Sequence, residues 1–191
     1  MLVTFEGIDG SGKSTQINLL NEIYKDIVVT KEPGGTKFGQ ILREILLNGK
    51  EISFKTEILL FLADRAEHYD KIILPNKERL VLSDRGFISG IAYAMANDTT
   101  LDIEKLLDLN NFALNGDFGD KFIFFEIDEK TIVSRFKERN LDKIESRGIE
   151  YLLRVQDYMK MIFKNSKFNV LKVDAGAQIL EIHEQIKEFI K

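Results

Sequence analysis

A glycine-rich octapeptide, Gly7-Ile8-Asp9-Gly10-Ser11-Gly12-Lys13-Ser14, lies between a short apolar run, Leu2 to Phe5, and a helical pattern with Ile17, Leu20 and Tyr24 on one face. Strand, glycine loop and helix in that order constrain the fold more than any other feature of the chain. The octapeptide fits GxxxxGK[ST], and its glycines let successive backbone N–H groups turn inward where the helix begins near Lys13. Inward N–H groups and the positive end of a helix together make a concave anion site. In such a site Lys13 reaches the outer phosphates of a nucleoside triphosphate and the Ser14 hydroxyl ligates Mg²⁺, while Gly7, Ile8, Asp9, Gly10, Ser11, Gly12 and Thr15 complete the cradle. A plain glycine turn capping a helix is the competing reading, and the flanking strand and helix weigh against it.

Four further apolar or β-branched runs read as buried strands: Ile27 to Thr30, Leu80 to Ser83, Phe122 to Ile127 and Asn169 to Val173. Helical patterns separate them, at Lys13 to Lys25, Phe38 to Leu47, Lys55 to Ile72, Ile88 to Ala96, Asp102 to Leu114, Glu129 to Arg139, Glu145 to Phe163 and Ala177 to Ile190. Continuous apolar strands alternating with helices predict an α/β fold, a parallel sheet covered on both faces. Repeats, low-complexity stretches and linkers are absent from the series, so one domain spanning 1–191 is expected, with a mobile segment near 139–147 where charged residues replace apolar ones.

With 191 residues, 44% of them hydrophobic, the chain can bury a substantial core. A net charge of −4 and the lack of a basic block argue against a nucleic-acid polymer or an anionic membrane as partner, and favour a small molecule held by local arginines. Cysteine is absent and there are two histidines, which rules out disulfides, cysteine-ligated zinc and a His-based metal site. The first residues already read as a core strand, leaving no room for a signal peptide, and the longest apolar run, Ile58 to Ala63, is too short to span a bilayer. A cytoplasmic location is expected.

Leu80-Val81-Leu82-Ser83-Asp84-Arg85 sets an acid and a guanidinium at the C-terminal end of a buried strand, the edge where open α/β sheets bind ligands. Asp84 there suits a Mg²⁺-holding role and Arg85 a phosphate grip, unless the pair only caps the next helix. Phe61 and Arg65, four apart, share a helix face and can stack on and hydrogen-bond a flat ligand; alone, Phe61 reads more often as core or subunit interface than as a base platform, and Arg65 as a solvated or paired surface residue. Glu32-Pro33-Gly34-Gly35-Thr36 must be a loop. The helix after it is read as burying Phe38, Ile41, Leu42, Ile45 and Leu46, with Arg43 off the apolar stripe and facing either solvent or the cleft. Arg135, Arg139, Lys143 and Arg147, mixed with acids, are either a solvated face or a lid that carries an arginine to a phosphoryl group.

Taken in order, FEGIDGSGKSTQ (Phe5 to Gln16), TKEPGGTKFGQILREILL (Thr30 to Leu47), TEILLFLADRAEH (Thr56 to His68), SDRGFISGIAYA (Ser83 to Ala94) and RNLDKIE (Arg139 to Glu145) resemble bacterial thymidylate kinases over nearly the whole chain. The resemblance implies a three-layer P-loop kinase fold with a five-stranded parallel sheet, and phosphorylation of dTMP to dTDP with ATP as donor and Mg²⁺ as cofactor. It also implies a homodimer packed through helices that include the Lys55 to Ile72 segment. By position Phe61 resembles the ring that stacks on thymine, and Arg65 the donor to a thymine carbonyl. Arg43 and Arg85 resemble the grips on the dTMP phosphate, Asp9 the acid near the acceptor's ribose and phosphate, Ser89 a further acceptor contact, and Tyr93 the ring that disfavours a ribose 2′-OH. The loop lacks arginine among Ile8 to Ser11, similar to the subclass whose catalytic arginine comes from the lid; Arg139 is the first candidate and Arg135 the second. Gly86, Gly90 and Ala94 depart from the family's common residues, which implies that thymine N3 is met by water, backbone or another residue.

Overall fold

The strands form where β-branched and aromatic residues run without polar interruption: β1 (Leu2–Glu6), β2 (Ile27–Lys31), β3 (Leu80–Asp84), β4 (Lys121–Glu126) and β5 (Val170–Asp174). In the computed structural model, which describes residues 1–48, 51–136 and 148–191, they pair in the order β2-β3-β1-β4-β5, and every pairing is parallel. Each crossover is helical, as a parallel connection requires. The helices are α1 (Lys13–Ile23), α2 (Lys37–Asn48), α3 (Phe54–His68), α4 (Phe87–Asn97), α5 (Ile103–Ala113), α6 (Glu129–Phe136), α7 (Ile149–Lys164) and α8 (Ile179–Ile190). They fall into two packed groups flanking the sheet: α1 with α8, and α2 to α7, joined by α2 on α3, α3 and α4 on α5, and α4 and α6 on α7. The segment near 139–147, with Arg139, Lys143 and Arg147, lies outside the described residues.

Val3, Phe5, Leu82, Phe122, Ile123 and Phe125 are sealed between the layers. Their burial on both sheet faces explains why these strands read as continuous apolar runs. The register sets Phe5 opposite Asp84 and Lys31 opposite the same Asp84, so the ends of β1, β2 and β3 deliver their side chains to one edge. β1 is central, with β3 on one side and β4 on the other. The crevice beside it is the topological switch point where open sheets bind ligands.

Two helical readings differ from the structure. The pattern from Lys55 to Ile72 is broken: α3 stops at His68 and a π-helical turn, Tyr69–Ile73, follows, whose wider spacing buries both Tyr69 and Ile73. On α2 the apolar positions form two stripes rather than one. Leu42 and Leu46 face the core, whereas Phe38, Ile41 and Ile45 are exposed, with Ile41 at 60%. Periodicity alone merged them because a helix apolar on two sides has a broad stripe. No helix among the described residues is long and apolar enough to cross a membrane.

Candidate active site

The loop between β1 and α1 depends on left-handed backbone at Gly10 (φ 79°) and at Gly12 (φ 97°), which caps α1. Lys13 folds back along the loop, donating to the Gly7 carbonyl at 3.0 Å and the Ile8 carbonyl at 3.1 Å. Burial, reinforced by the nearby Arg85 charge, pushes its ammonium down to about 8. A desolvated ammonium held by two loop carbonyls can exchange them for an anion.

Ser14 donates its hydroxyl to Asp84 Oδ2 at 2.9 Å, while Asp84 Oδ1 is buried with no hydrogen-bond partner among the described residues. A buried carboxylate oxygen without a donor, beside a hydroxyl, is hard-oxygen chemistry that fits Mg²⁺. Opposite this pair Arg135, on α6, donates to the Gly10 carbonyl at 2.7 Å and the Ala175 carbonyl at 2.6 Å, bridging the loop to the turn after β5. Asp9 to Gln16, Asp84, Arg135, Ala175, Ala177, Ile179 and Ile182 line one elongated pocket.

Arg85 carries the backbone of a turn glycine, at φ 74°, a strained conformation for a non-glycine residue. From there its guanidinium donates to the Gly7 carbonyl at 2.8 Å, to Ser89 Oγ at 3.2 Å and to Asp9 Oδ1 at 2.7 Å, and lies over the Tyr93 ring. Burial alone raises the Asp9 carboxyl. The Arg85 and Lys13 charges outweigh it and hold Asp9 well below the usual carboxylate range. Tyr93 donates to the other Asp9 oxygen at 3.2 Å.

A second pocket is lined by Asp9, Arg43, Phe61, Arg65, Arg85, Ser89 and Tyr93, all seven of the residues expected at the acceptor, with Glu32, Pro33, Leu47, Glu57, Gly86 and Gly90. Asp9, Glu32, Arg43 and Arg85 border both pockets. Arg43 is part-buried on the cleft side and donates to the Pro33 carbonyl at 2.9 Å. Arg65, read from sequence alone as a solvated or paired surface residue, is paired, with Glu32 at 2.8 Å, but buried at 3% exposure. Its partners come from distant segments, which no local pattern reveals.

Sequence reasoning missed Glu6. It is wholly buried at the end of β1, accepting from both the Ser89 hydroxyl and the Ser89 N–H, while its Oε1 has no partner among the described residues. Its signal was a lone acid closing an otherwise apolar strand. Burial, offset in part by Ser89, pushes its carboxyl up to about 7. Between pH 4.5 and 7 the folded state therefore binds more protons than the unfolded chain, so this group's contribution to stability falls as pH rises. Glu6→Gln removes that dependence. Relative to wild type, the variant is expected to gain about 2–3 kcal/mol between pH 4.5 and 7.5, measured as the difference in unfolding free energy. A pH-independent difference would contradict the assignment.

A parallel sheet whose first strand runs through a phosphate-binding loop into a helix, with an acid and an arginine ending the neighbouring strand, defines a P-loop kinase. Residues 5–186 match the family model of thymidylate kinase. Over their full lengths, the chain is 60% identical to the thymidylate kinase of Campylobacter fetus subsp. fetus and 49% identical to that of a Sulfurovum species. The crystal structure of thymidylate kinase from Ehrlichia chaffeensis superposes with a TM-score of 0.79 at 28% identity, covering 100% of this chain and 98% of that one. The chain belongs to the thymidylate kinase family.

Proposed function

We propose that the protein transfers the γ-phosphoryl group of ATP directly to the 5′-phosphate of dTMP, in line, in the cytoplasm and on the route to dTTP. The observation that carries this reading is the shared wall: the triphosphate pocket and the acceptor pocket meet at Asp9, Glu32, Arg43 and Arg85. Two anions brought together there face two guanidinium groups and Lys13. With the acceptor already anionic, no strong general base is needed, and catalysis is positioning plus charge stabilisation. Lys13 leaves the Gly7 and Ile8 carbonyls for the transferring phosphoryl group, and Arg85 holds the acceptor phosphate while Asp9 fixes the guanidinium plane. Ser14 and Asp84 would hold Mg²⁺, which when bound supplies neutralisation of phosphate charge.

At the other end of the acceptor pocket Phe61 stacks on the base, Arg65 donates to a base carbonyl, Ser89 adds a contact, and Tyr93 closes the space beside the ribose C2′. Arg135 stands over the donor end, where it touches the loop that cradles the phosphates. Arg139 keeps its proposed role as the lid arginine. The exposed apolar stripe of Phe38, Ile41 and Ile45 on α2, with Leu59 exposed on α3, supports a homodimer through these helices.

Truncating the stacking ring tests the acceptor end. Phe61→Ala is expected to raise KM for dTMP by about tenfold, with most of the turnover retained, in steady-state ADP release. An unchanged KM for dTMP would remove Phe61 from the base site.

A further inference from the structure

Asn110 sits on the buried stripe of α5, between Leu106 and Ala113, where an apolar residue is the ordinary occupant. It is 3% exposed, and its polar atoms are spent in one orientation. Nδ2 donates to the Leu106 carbonyl at 2.7 Å, and Oδ1 accepts from an Arg65 terminal nitrogen at 2.7 Å. The flipped amide would set N–H against a guanidinium that can only donate, so the neighbours dictate the assignment.

Arg65 is thereby pinned on three sides. Its Nε donates to Glu32 Oε2 at 2.8 Å, one terminal nitrogen to Asn110, and the other to the Gly86 carbonyl at 3.1 Å. Glu32 is itself fixed by His68 at 2.9 Å, which meets Thr30 through its other nitrogen at 2.6 Å. The guanidinium lies flat against α4 at Gly90, where a Cβ would come within 3.1 Å of both terminal nitrogens. A fork with five N–H groups, three of them engaged by these partners, keeps two for a planar acceptor in the pocket it shares with Phe61 and Tyr93.

We propose that Asn110 is a specificity-determining positioning residue: from α5, outside the lining of the acceptor pocket, it sets the rotation of the Arg65 guanidinium, and so the direction in which that group presents its remaining N–H donors to a pyrimidine carbonyl. Glu32 and the Gly86 carbonyl hold two of the three guanidinium nitrogens, and Asn110, from a helix 45 residues along the chain, holds the third and so fixes the plane of the fork. Pre-organising the fork spares the ordering cost on binding, so its loss appears in acceptor affinity.

The inference rests on the reading of Arg65 as a base contact, and a double-mutant cycle separates the two. Steady-state KM for dTMP and for ATP is measured for wild type, Asn110→Ala, Arg65→Ala and the double variant, with Asn110→Asp as the isosteric acceptor. Asn110→Ala is expected to raise KM for dTMP by about tenfold, the scale of one hydrogen bond to a charged group, with KM for ATP within about twofold. In the Arg65→Ala background the same change is expected to cost less than about twofold, because its target is gone. Asn110→Asp, which keeps an acceptor facing Arg65, is expected to recover most of the affinity. A merely structural asparagine would lower both substrates' affinities together and add its effect to Arg65→Ala, and either result overturns the proposal. If Arg65→Ala raises KM for dTMP and Asn110→Ala does not, the Asn110 inference alone fails. If Arg65→Ala leaves that KM unchanged, the base-contact reading fails and takes the inference with it. Should Asn110→Ala not fold, Asn110→Ser carries the same comparison with Asn110→Asp as the acceptor-retaining control, and additivity of Asn110→Ser with Arg65→Ala would overturn it.

Discussion

Lys13→Met is expected to lower kcat by about a thousandfold and, at the same time, to leave the protein as stable as wild type or more so. The first effect follows from its proposed role as the loop cation that reaches the transferring phosphoryl group. The second follows from its burial. A fall from 10.5 to about 8 means that the folded state disfavours the charged ammonium by roughly 3 kcal/mol. Its hydrogen bonds to the Gly7 and Ile8 carbonyls return part of that, at about 1 kcal/mol each. Methionine keeps the stem and removes the charge, so a net gain of about 1–2 kcal/mol is expected at pH 7. Between about pH 8 and 10.5 the unfolded chain holds a proton that the folded state has released, so wild-type stability climbs with pH and the gap closes. Denaturant melts across this range check the sign. A variant that loses more than about 2 kcal/mol at pH 7, or that turns over at a near-normal rate, would contradict the account.

Arg85→Ala is expected to reduce kcat/KM for dTMP by about 10²–10³ and to destabilise the fold by about 1–2 kcal/mol. Arg85 is the proposed acceptor grip and the partner of Asp9, at 2.7 Å, in a site where both side chains keep some solvent access. Removing it leaves Asp9 part-buried with its main counter-charge gone. The Asp9 carboxyl then returns toward the ordinary range, and the stability it contributes above that range, lost in wild type only in strong acid, is lost at milder acidity. Arg85→Lys separates the two roles. It keeps a charge near Asp9 and restores stability, but it loses the planar fork and stays slow. Equal recovery of rate and stability in Arg85→Lys would show that charge alone suffices.

Elements governed by local chemistry were readable in advance. The five strands appear as continuous apolar runs because a parallel sheet covered on both faces demands them, and the phosphate-binding loop is legible because close phosphate approach requires glycine at fixed positions. What escaped the sequence depends on partners far along the chain. Arg65 reads as a surface residue until Glu32 and Asn110, 33 and 45 residues away, fold around it. Glu6 reads as the end of a strand until Ser89 reaches it from α4. On α2, one broad apolar pattern hides an inner stripe at Leu42 and Leu46 and an outer one at Phe38, Ile41 and Ile45. Asn110 did leave a trace, a polar residue in the core stripe of α5, and such interruptions are the places to look for a buried hydrogen-bonded network.

In the proposed function, the two pockets joined at Asp9, Glu32, Arg43 and Arg85 hold ATP and dTMP for direct transfer. The most direct test is ADP release from ATP and Mg²⁺ by the purified protein, with dTMP, dUMP, the ribose form of TMP, dGMP, thymidine and no acceptor compared side by side. Strong stimulation by dTMP, with dTDP as product, weak response to the ribose form and none to thymidine is the predicted result. ADP release that is independent of acceptor, or that is driven by thymidine or dGMP in preference to dTMP, would contradict it.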